Sequence, residues 1–391
     1  MKSSHRIDTP AAGAKDGTLY VAFELGKSKW LIGLLVSGEK KLSRHVVAGG
    51  DTAEVWRLIS KKRAAAAKKL GRPVRVVSCY EAGFDGFWLD RWLASQGIEN
   101  RVLDPSSIEM PRRARQAKTD RLDLERLMRV LIRHEGGEPR VCSVVRPPSP
   151  EQEDARRLSR ERERLIGERT AHGNRIKGLL HGQGVRDVEP RRKNFHEQLA
   201  RARTGDGRAL PDRLVAEILR EHVRLELIVE QIAEVEGQMK AEREAATPDS
   251  RAAQVNRLIE VKSIGAIGGE GLVSEAFWRD FRNRRQVGAY FGMVGTPFDS
   301  GQSAYEQGIS KSGNGRARTL AIQLAWLWLR YQPDSALSRW FRARVGDQKG
   351  RVKRIAIVAL ARKLMVALWR FLTQGLVPEG AIVRAAAPAG R

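Results

Sequence analysis

Cysteine is nearly missing from this chain of 391 residues: there are two, Cys79 and Cys142, and no CxxC spacing. That scarcity excludes a disulfide framework and a cysteine-based zinc site, and it fits a reducing compartment. The seven histidines are scattered, without HExxH or any other paired-ligand spacing, so histidine ligation of a metal has no support in the sequence. Acidic residues are in short supply. Asp and Glu number 46 against 71 Lys and Arg, a formal net charge of +25. Self-repulsion on that scale points to a polyanionic partner whose phosphates offset it. Long apolar runs are lacking as well. Residues 1–17 contain no stretch of signal-peptide length, and the most apolar late segment, 355–372, is broken by Arg362 and Lys363. A secreted or membrane-spanning chain is therefore not expected, and a cytoplasmic, nucleoid-associated protein is. Neither a zinc finger nor a helix-turn-helix recognition helix stands out, so no base-reading module is visible.

What is present falls into three parts. Residues 18–145 read as an α/β domain. Apolar runs at 18–25, 29–37 and 41–47 are separated by Gly26-Lys27-Ser28 and Gly38-Glu39-Lys40, tight polar breaks that close hairpins. Asp51-Thr52 offers an N-cap for a helix to Leu70, and Gly71-Arg72-Pro73 stops it. A β-branched run at 74–80 predicts a buried strand, 84–95 has helical spacing, 101–103 is a short strand and 118–133 another helix. The resulting order, βββαβαβα, is that of the ribonuclease H fold. Arg146-Pro147-Pro148-Ser149-Pro150 is a stiff linker and a domain boundary.

Residues 151–245 form the second part. A charged helix covers 151–180, a polar stretch at 181–207 containing Arg191-Arg192-Lys193 reads as a mobile basic loop, and a long helix follows from Pro211. In that helix Ile218, Leu225, Ile228, Ile232, Val235 and Met239 fall at heptad spacing. The seam predicts an antiparallel helix pair or an intermolecular coiled coil, with an ordinary amphipathic bundle helix as the plainer alternative. The third part, 255–375, is mostly helical. Val261-Lys262-Ser263-Ile264-Gly265-Ala266-Ile267-Gly268 matches the hairpin of a helix-hairpin-helix motif, whose glycines let backbone N–H groups reach a phosphate. A Gly-rich polar segment at 291–318 precedes helices at 319–331 and 353–373.

Four acids invite a chemical reading. Glu24 and Glu81 end apolar strands, while Asp120 and Asp123 begin a helix and, three residues apart, share one of its faces. In the ribonuclease H order the first strand is central and the strand of Glu81 lies beside it, so the four would meet at one sheet edge. Carboxylates so gathered need cations between them, Mg2+ first and Mn2+ as its substitute. Each also has a plain role: Asp120 as an N-cap, Asp123 as a first-turn acid, Glu81 as an exposed strand end. Glu24 resists that treatment, because an unpaired charge in an apolar strand costs several kcal/mol in order of magnitude. Basic clusters at Lys61-Lys62-Arg63 with Lys68-Lys69, at Arg112-Arg113 with Arg115, and across 339–354 either track a nucleic-acid backbone or are solvated faces. Ser300 lies in Pro297-Phe298-Asp299-Ser300-Gly301, which on its own residues is an ordinary turn.

Together these motifs resemble a known family. Tyr20-Val21-Ala22-Phe23-Glu24-Leu25-Gly26, Tyr80-Glu81-Ala82-Gly83, Leu103-Asp104-Pro105 and Lys118-Thr119-Asp120-Arg121-Leu122-Asp123 are similar to segments of the DEDD insertion-sequence transposases, which have pilin-gene invertases among their relatives. Ser263–Gly268, Phe281, Tyr290–Val294, Ser300-Gly301 and Gly308–Asn314 with Arg316 and Arg318 resemble its C-terminal signature, so the likeness spans about residues 18–375.

The resemblance implies a RuvC-like N-terminal domain (18–145), a helical coiled-coil region (151–245) and a C-terminal domain (255–375) with a helix-hairpin-helix and a catalytic serine loop. It further implies DNA recombination for a mobile element, in some cases with a structured bridge RNA that pairs with donor and target DNA. On this footing Ser300 is the nucleophile, and Glu24, Glu81, Asp120 and Asp123 hold Mg2+ in a composite site of a homo-oligomer, a dimer or tetramer. Lys118, Arg121, Lys262, Gly265, Gly268, Gly301, Lys311, Asn314, Arg316 and Arg318 are the implied nucleic-acid contacts. One departure is the Glu at position 24, where the family usually has Asp. Two alternatives remain open. One is a Mg2+-dependent nuclease, Holliday-junction resolvase or invertase that uses water; the other is a non-catalytic nucleic-acid-binding protein from a decayed element.

Overall fold

Side-chain alternation along the first strands sets the architecture of the N-terminal unit. In the computed structural model, which describes residues 17–108, 119–300 and 303–384, β1 (Thr18–Leu25) pairs antiparallel with β2 (Lys29–Val36), and β2 with β3 (Ser43–Ala48). The expectations placed on Arg112, Arg113, Arg115, Lys118 and Gly301 lie outside the described residues. α1 (Thr52–Leu70), capped by the Asp51 carboxylate, leads to β4 (Arg75–Glu81), which runs parallel to β1. α2 (Trp88–Ser95), β5 (Glu99–Leu103) parallel to β4, and α3 (Asp120–Glu135) complete the unit. The sheet order is β3-β2-β1-β4-β5, a mixed sheet covered by helices and consistent with a ribonuclease H-like domain. Leu19, Val21 and Phe23 belong to the core shared with α1 and α2, whereas Tyr20 and Ala22 belong to the core under α3. Helix α2 begins later than the spacing of 84–95 predicts: residues 84–87 form a turn, and Phe84 is exposed.

Helix α3 runs against the direction of the parallel strands. Glu135, at its C-terminal end, pairs with Arg75 at the start of β4 (3.0 Å) and with Arg101 of β5 (3.1 Å). Further along, the Cys79 thiol of β4 lies 3.7 Å from the Leu127 carbonyl oxygen. Gly33 of β2 lies opposite Ala22, and a Cβ on it would sit 3.2 Å from Leu124 of α3. Small residues on the sheet thus let the helix come close.

Compact packing divides the chain between Ser149 and Pro150. The second unit opens with α4 (Pro150–Asp154) and α5 (Arg157–His181), followed by α6 (Phe195–Arg201) and α7 (Asp212–Glu244). Arg162 pairs with Glu236, His172 with Glu221 and Arg175 with Glu217, so α5 and α7 are antiparallel. All six heptad positions of α7 are buried. They pack on Leu165, Ile176 and Leu180 of α5 and on the α6 region, so the seam is consumed within the chain. The stretch 181–207 is not the loose loop expected from its polarity. Val185, Val188, Phe195 and Leu199 are too widely spaced to show a period, yet all are buried in a small core with Ile176, Leu180 and Ile218.

Next come α8 (Arg251–Glu260), α9 (Ala266–Leu272), which runs into one π-helical turn at Val273–Phe277, and α10 (Arg284–Tyr290). A two-stranded hairpin, β6 (Gly295–Ser300) and β7 (Ser303–Ile309), stands within the segment read only as Gly-rich and polar. α11 (Gly315–Tyr331), α12 (Ala336–Val345) and α13 (Arg351–Gln374) close the fold around a core that includes Trp328, Leu360 and Leu364. Among the described residues no helix is long and apolar enough to cross a membrane.

A buried acid holds this part together. Glu275, in the π-helical turn, is 4% exposed and accepts two hydrogen bonds from Arg160 of α5 (2.7 and 3.0 Å) and one from the Asn314 amide (2.9 Å). Burial pushes the Glu275 carboxyl up, but the Arg160 and Asn314 hydrogen bonds outweigh it and hold the group below its ordinary value. The Asn314 side-chain oxygen caps α11, accepting from the amides of Arg316 (3.0 Å) and Ala317 (3.2 Å). Two glycines bring the neighbouring chain segments into contact. At Gly313, with φ +90°, a Cβ would lie 2.4 Å from the Tyr290 carbonyl oxygen, and at Gly292, with φ +61°, 1.9 Å from that of Ser312. No larger residue fits either place.

Replacing Asn314 with Ala removes a helix cap and a hydrogen bond to a buried carboxylate together. The variant should lose about 2–4 kcal/mol of stability in urea unfolding. A variant as stable as the parent would mean that Asn314 does not hold the Glu275 turn.

Candidate active site

Strand register brings the first two acids together. Phe23 pairs with Tyr80 across the parallel β1–β4 ladder, and the next step of that register sets Glu24 beside Glu81, each at the C-terminal end of its strand. By alternation both belong to the sheet face of Tyr20, Ala22, Val77 and Cys79, the face that α3 covers. Because α3 runs opposite to β4, its first turn, with Asp120 and Asp123, comes to the same strand-end edge. Thr119 is the N-cap here, its hydroxyl accepting from the Leu122 amide at 3.4 Å, so Asp120 does not serve as the cap and is exposed. Asp123 accepts from Arg126 of the next turn at 2.9 Å.

Four carboxylates give an all-oxygen donor set, the kind a hard divalent cation takes. No three of the four have carboxylate oxygens all within 4.8 Å of one another. Among the described residues the one trio of candidate ligand atoms lying within 4.8 Å of one another is His196, His222 and Glu226 in the helical region, which the scattered histidines did not foretell. Cysteine offers no competing nucleophile: burial pushes the Cys79 and Cys142 thiols up, so both stay protonated.

In the second unit, Ser300 is the last residue of β6 and pairs with Ser303, which places it at the tip of the hairpin. The rings of Phe298 and Tyr305, 4.8 Å apart, brace the two strands below it. Several residues expected to touch nucleic acid are engaged internally. Arg318 donates to the carbonyls of Phe291 (3.2 Å) and Lys311 (3.1 Å), Arg316 pairs with Glu163 of α5, and Asn314 is tied to Glu275. Lys311, with φ +56°, is exposed, as are Lys262 and Arg121, the last 3.3 Å from Glu125.

The hairpin between α8 and α9 is equally committed. The Lys262 amide donates to the Ile382 carbonyl, and the Lys262 carbonyl accepts from Gln332. Gly265 faces open space at the start of α9, but Gly268 lies inside that helix, where a Cβ would meet Leu324 at 3.0 Å; its smallness serves helix packing. The pivotal Glu275 and its partner Arg160 went unnoticed in the sequence. Their one signal was an acid inside the apolar run Leu272-Val273-Ser274-Glu275-Ala276-Phe277.

Comparison with known proteins places the chain in a family. Residues 26–183 match a DEDD transposase family model of the IS110 group, and residues 255–339 match the model described as "Transposase IS116/IS110/IS902 family". A Sinorhizobium fredii protein named "Putative transposase y4rJ" is 45% identical over 393 residues, covering 98% of this chain and 99% of that one. The transposase for insertion sequence element IS1111A of Coxiella burnetii is 26% identical, over 73% of this chain and 74% of its own. The transposase for insertion sequence element IS1328 of Yersinia enterocolitica is also 26% identical, over 78% and 84%. The chain belongs to the IS110/IS116 family of DEDD transposases, enzymes that recombine DNA for mobile insertion elements.

Proposed function

We propose that this transposase cuts and rejoins DNA through a covalent phosphoserine at Ser300, beside a divalent-cation site formed by Glu24, Glu81, Asp120 and Asp123, with a structured guide RNA selecting the sequences. What supports the reading is the β1–β4 register, which sets Glu24 beside Glu81, together with the direction of α3, which carries Asp120 and Asp123 toward the same end of the sheet. Magnesium, or manganese in its place, would supply positive charge to the phosphoryl oxygens and to the leaving oxygen. Glu24 carries one methylene more than the usual Asp and reaches the same ion by a changed rotamer.

Attack by the Ser300 hydroxyl forms an Oγ–P bond and breaks a P–O bond to sugar. The hydroxyl proton is lost and the leaving sugar oxygen takes one up. Attack by a sugar hydroxyl on the phosphoserine reverses the exchange. Each step trades one phosphoester for another, so rejoining needs no outside source of energy. A hairpin tip suits this role, because the paired rings of Phe298 and Tyr305 hold the strands that lead to it.

The charge of +25 and the lack of a base-reading module support a guide RNA as partner, with DNA as substrate in the cytoplasmic nucleoid. Lys118, Arg121, Lys262, Gly265, Gly301 and Lys311 are the proposed phosphate contacts, with Gly268, Asn314, Arg316 and Arg318 shaping the surface around them. The proposed division of labour gives 18–145 the acids, 151–245 the connection and 255–375 the serine. A homo-oligomer, dimer or tetramer, would let one protomer's serine serve its partner's acids. Since the α7 seam is used internally, the outward Val223, Leu227 and Val229 are the better candidates for that contact.

Ser300→Ala should lower strand exchange by about 10³-fold or more while DNA binding stays near the parent's. Parent protein trapped in mid-reaction should carry DNA through denaturing electrophoresis, and Ser300→Ala should not. Normal joining by the variant, or cleavage without any adduct, would assign the attack to water. Asp120→Ala and Asp123→Ala should each abolish divalent-dependent exchange and leave the melting temperature within a few degrees, since Thr119 caps the helix. Collapse of both melting curves would make the acids structural.

A further inference from the structure

The helical region brings together two imidazoles and a carboxylate, remote in sequence from the four acids of the first unit. His222, on α7, is 5% exposed, and its ring lies flat against Phe195 with centroids 4.0 Å apart. Its Nε2 is 3.0 Å from the Pro190 carbonyl oxygen. A carbonyl only accepts, so Nε2 must carry the proton, and the neutral ring then presents a bare lone pair at Nδ1. That atom is buried and has no hydrogen-bond partner. One turn along the helix, the Glu226 carboxylate faces it at 3.5 Å. His196, on the first turn of α6, closes the group: its ring stands edge-on to His222 with centroids 5.0 Å apart, and the three ligand atoms all fall within 4.8 Å of one another.

A bare imidazole nitrogen and a carboxylate oxygen 3.5 Å apart repel unless something positive lies between them. We propose that His196, His222 and Glu226 bind a borderline transition-metal cation, Zn2+ in the first instance, which clamps α6 and the 181–210 excursion onto α7. Two imidazoles and one carboxylate suit zinc and disfavour magnesium and calcium, which take oxygen. At zinc–ligand distances of about 2.0–2.1 Å, tetrahedral ligands stand roughly 3.4 Å apart. The His222–Glu226 pair is already at 3.5 Å. His196 and Glu226 are both exposed, so the ion can enter from solvent and His196 can swing in without disturbing the core. The Pro190 carbonyl behind His222 is the outer-shell partner that fixes tautomer and ring orientation at metal-binding histidines. Water would complete the coordination.

The test uses the full chain, stripped with a chelator and titrated with ZnCl2 in millimolar Mg2+, which keeps the acidic edge occupied by its own class of ion. The expected result is one Zn2+ per chain, a higher melting temperature on binding, and slower tryptic cleavage around Arg186–Lys193. His222→Ala forfeits the Pro190 hydrogen bond and the stacking on Phe195 and could fail to fold, so the surface variants His196→Ala and Glu226→Ala carry the argument. Each should weaken zinc binding by about 100-fold while its melting temperature without zinc stays at the parent's. Asp120→Ala should bind zinc as the parent does. No stoichiometric zinc in the parent, or undiminished binding in both surface variants, would overturn the proposal and leave His222 and Glu226 as a plain imidazole–carboxylate pair.

Discussion

Antiparallel packing of α3 across β1 and β4 decides where the acids of the N-terminal unit lie. Alternation gives Glu24 and Glu81 the same face and the same edge but says nothing about Asp120 and Asp123. The direction of the helix does. With Glu135 tied to Arg75 at the start of β4, the first turn of α3 must come out toward the other edge. Burial of Leu124, Leu127, Met128 and Leu131 drives that packing, at about 1.5–3 kcal/mol for each side chain. Repulsion among partly exposed carboxylates is weaker, because water screens Asp120 and Arg126 offsets Asp123. A slip of one residue in the β1–β4 ladder would turn Glu24 to the opposite face and dissolve the arrangement.

The C-terminal part is organised by buried charge instead. A carboxylate enclosed as Glu275 is would be intolerable alone; two hydrogen bonds from Arg160 and one from Asn314 make it a fixed point where α5, the π-helical turn and the cap of α11 meet. The π turn, a local distortion often found at functional sites, presents that carboxylate to all of them. Gly292 and Gly313 then let the two ends of the hairpin segment cross at main-chain contact. Both ends of that hairpin are thereby fixed to the buried framework around Glu275.

Elements whose signal is local were legible in the sequence. The five strands of the first sheet, their order and the long helices followed from alternation, heptad spacing and Gly/Pro breaks. Elements held by distant partners were not. Val185, Val188, Phe195 and Leu199 look like stray apolar residues until α5 and α7 close around them, and β6–β7 is too polar and too rich in glycine to show a strand period. Charge was visible, but its destination was not: Arg316 and Arg318 read as phosphate contacts, yet one answers Glu163 and the other clasps two carbonyls. His196 shares no spacing with His222 and Glu226, so only the docking of α6 on α7 could bring the three together. Ser300 carried no physical mark beyond its turn, and only likeness to the family singled it out.

The charge balance separates binding from choosing. Even if every one of the 46 acids took a basic partner, 25 cations would remain, so the surplus survives any internal pairing. Several arginines that look most like recognition residues are spent inside, and the field offered to a polyanion therefore comes from exposed residues such as Lys262, Lys311 and Arg121. Attraction of that kind counts phosphates and is indifferent to bases, weakening steeply as salt rises. Site preference must then be carried by something other than these contacts. Under the proposed reading, base pairing by a guide RNA would carry that preference without a recognition helix in the protein.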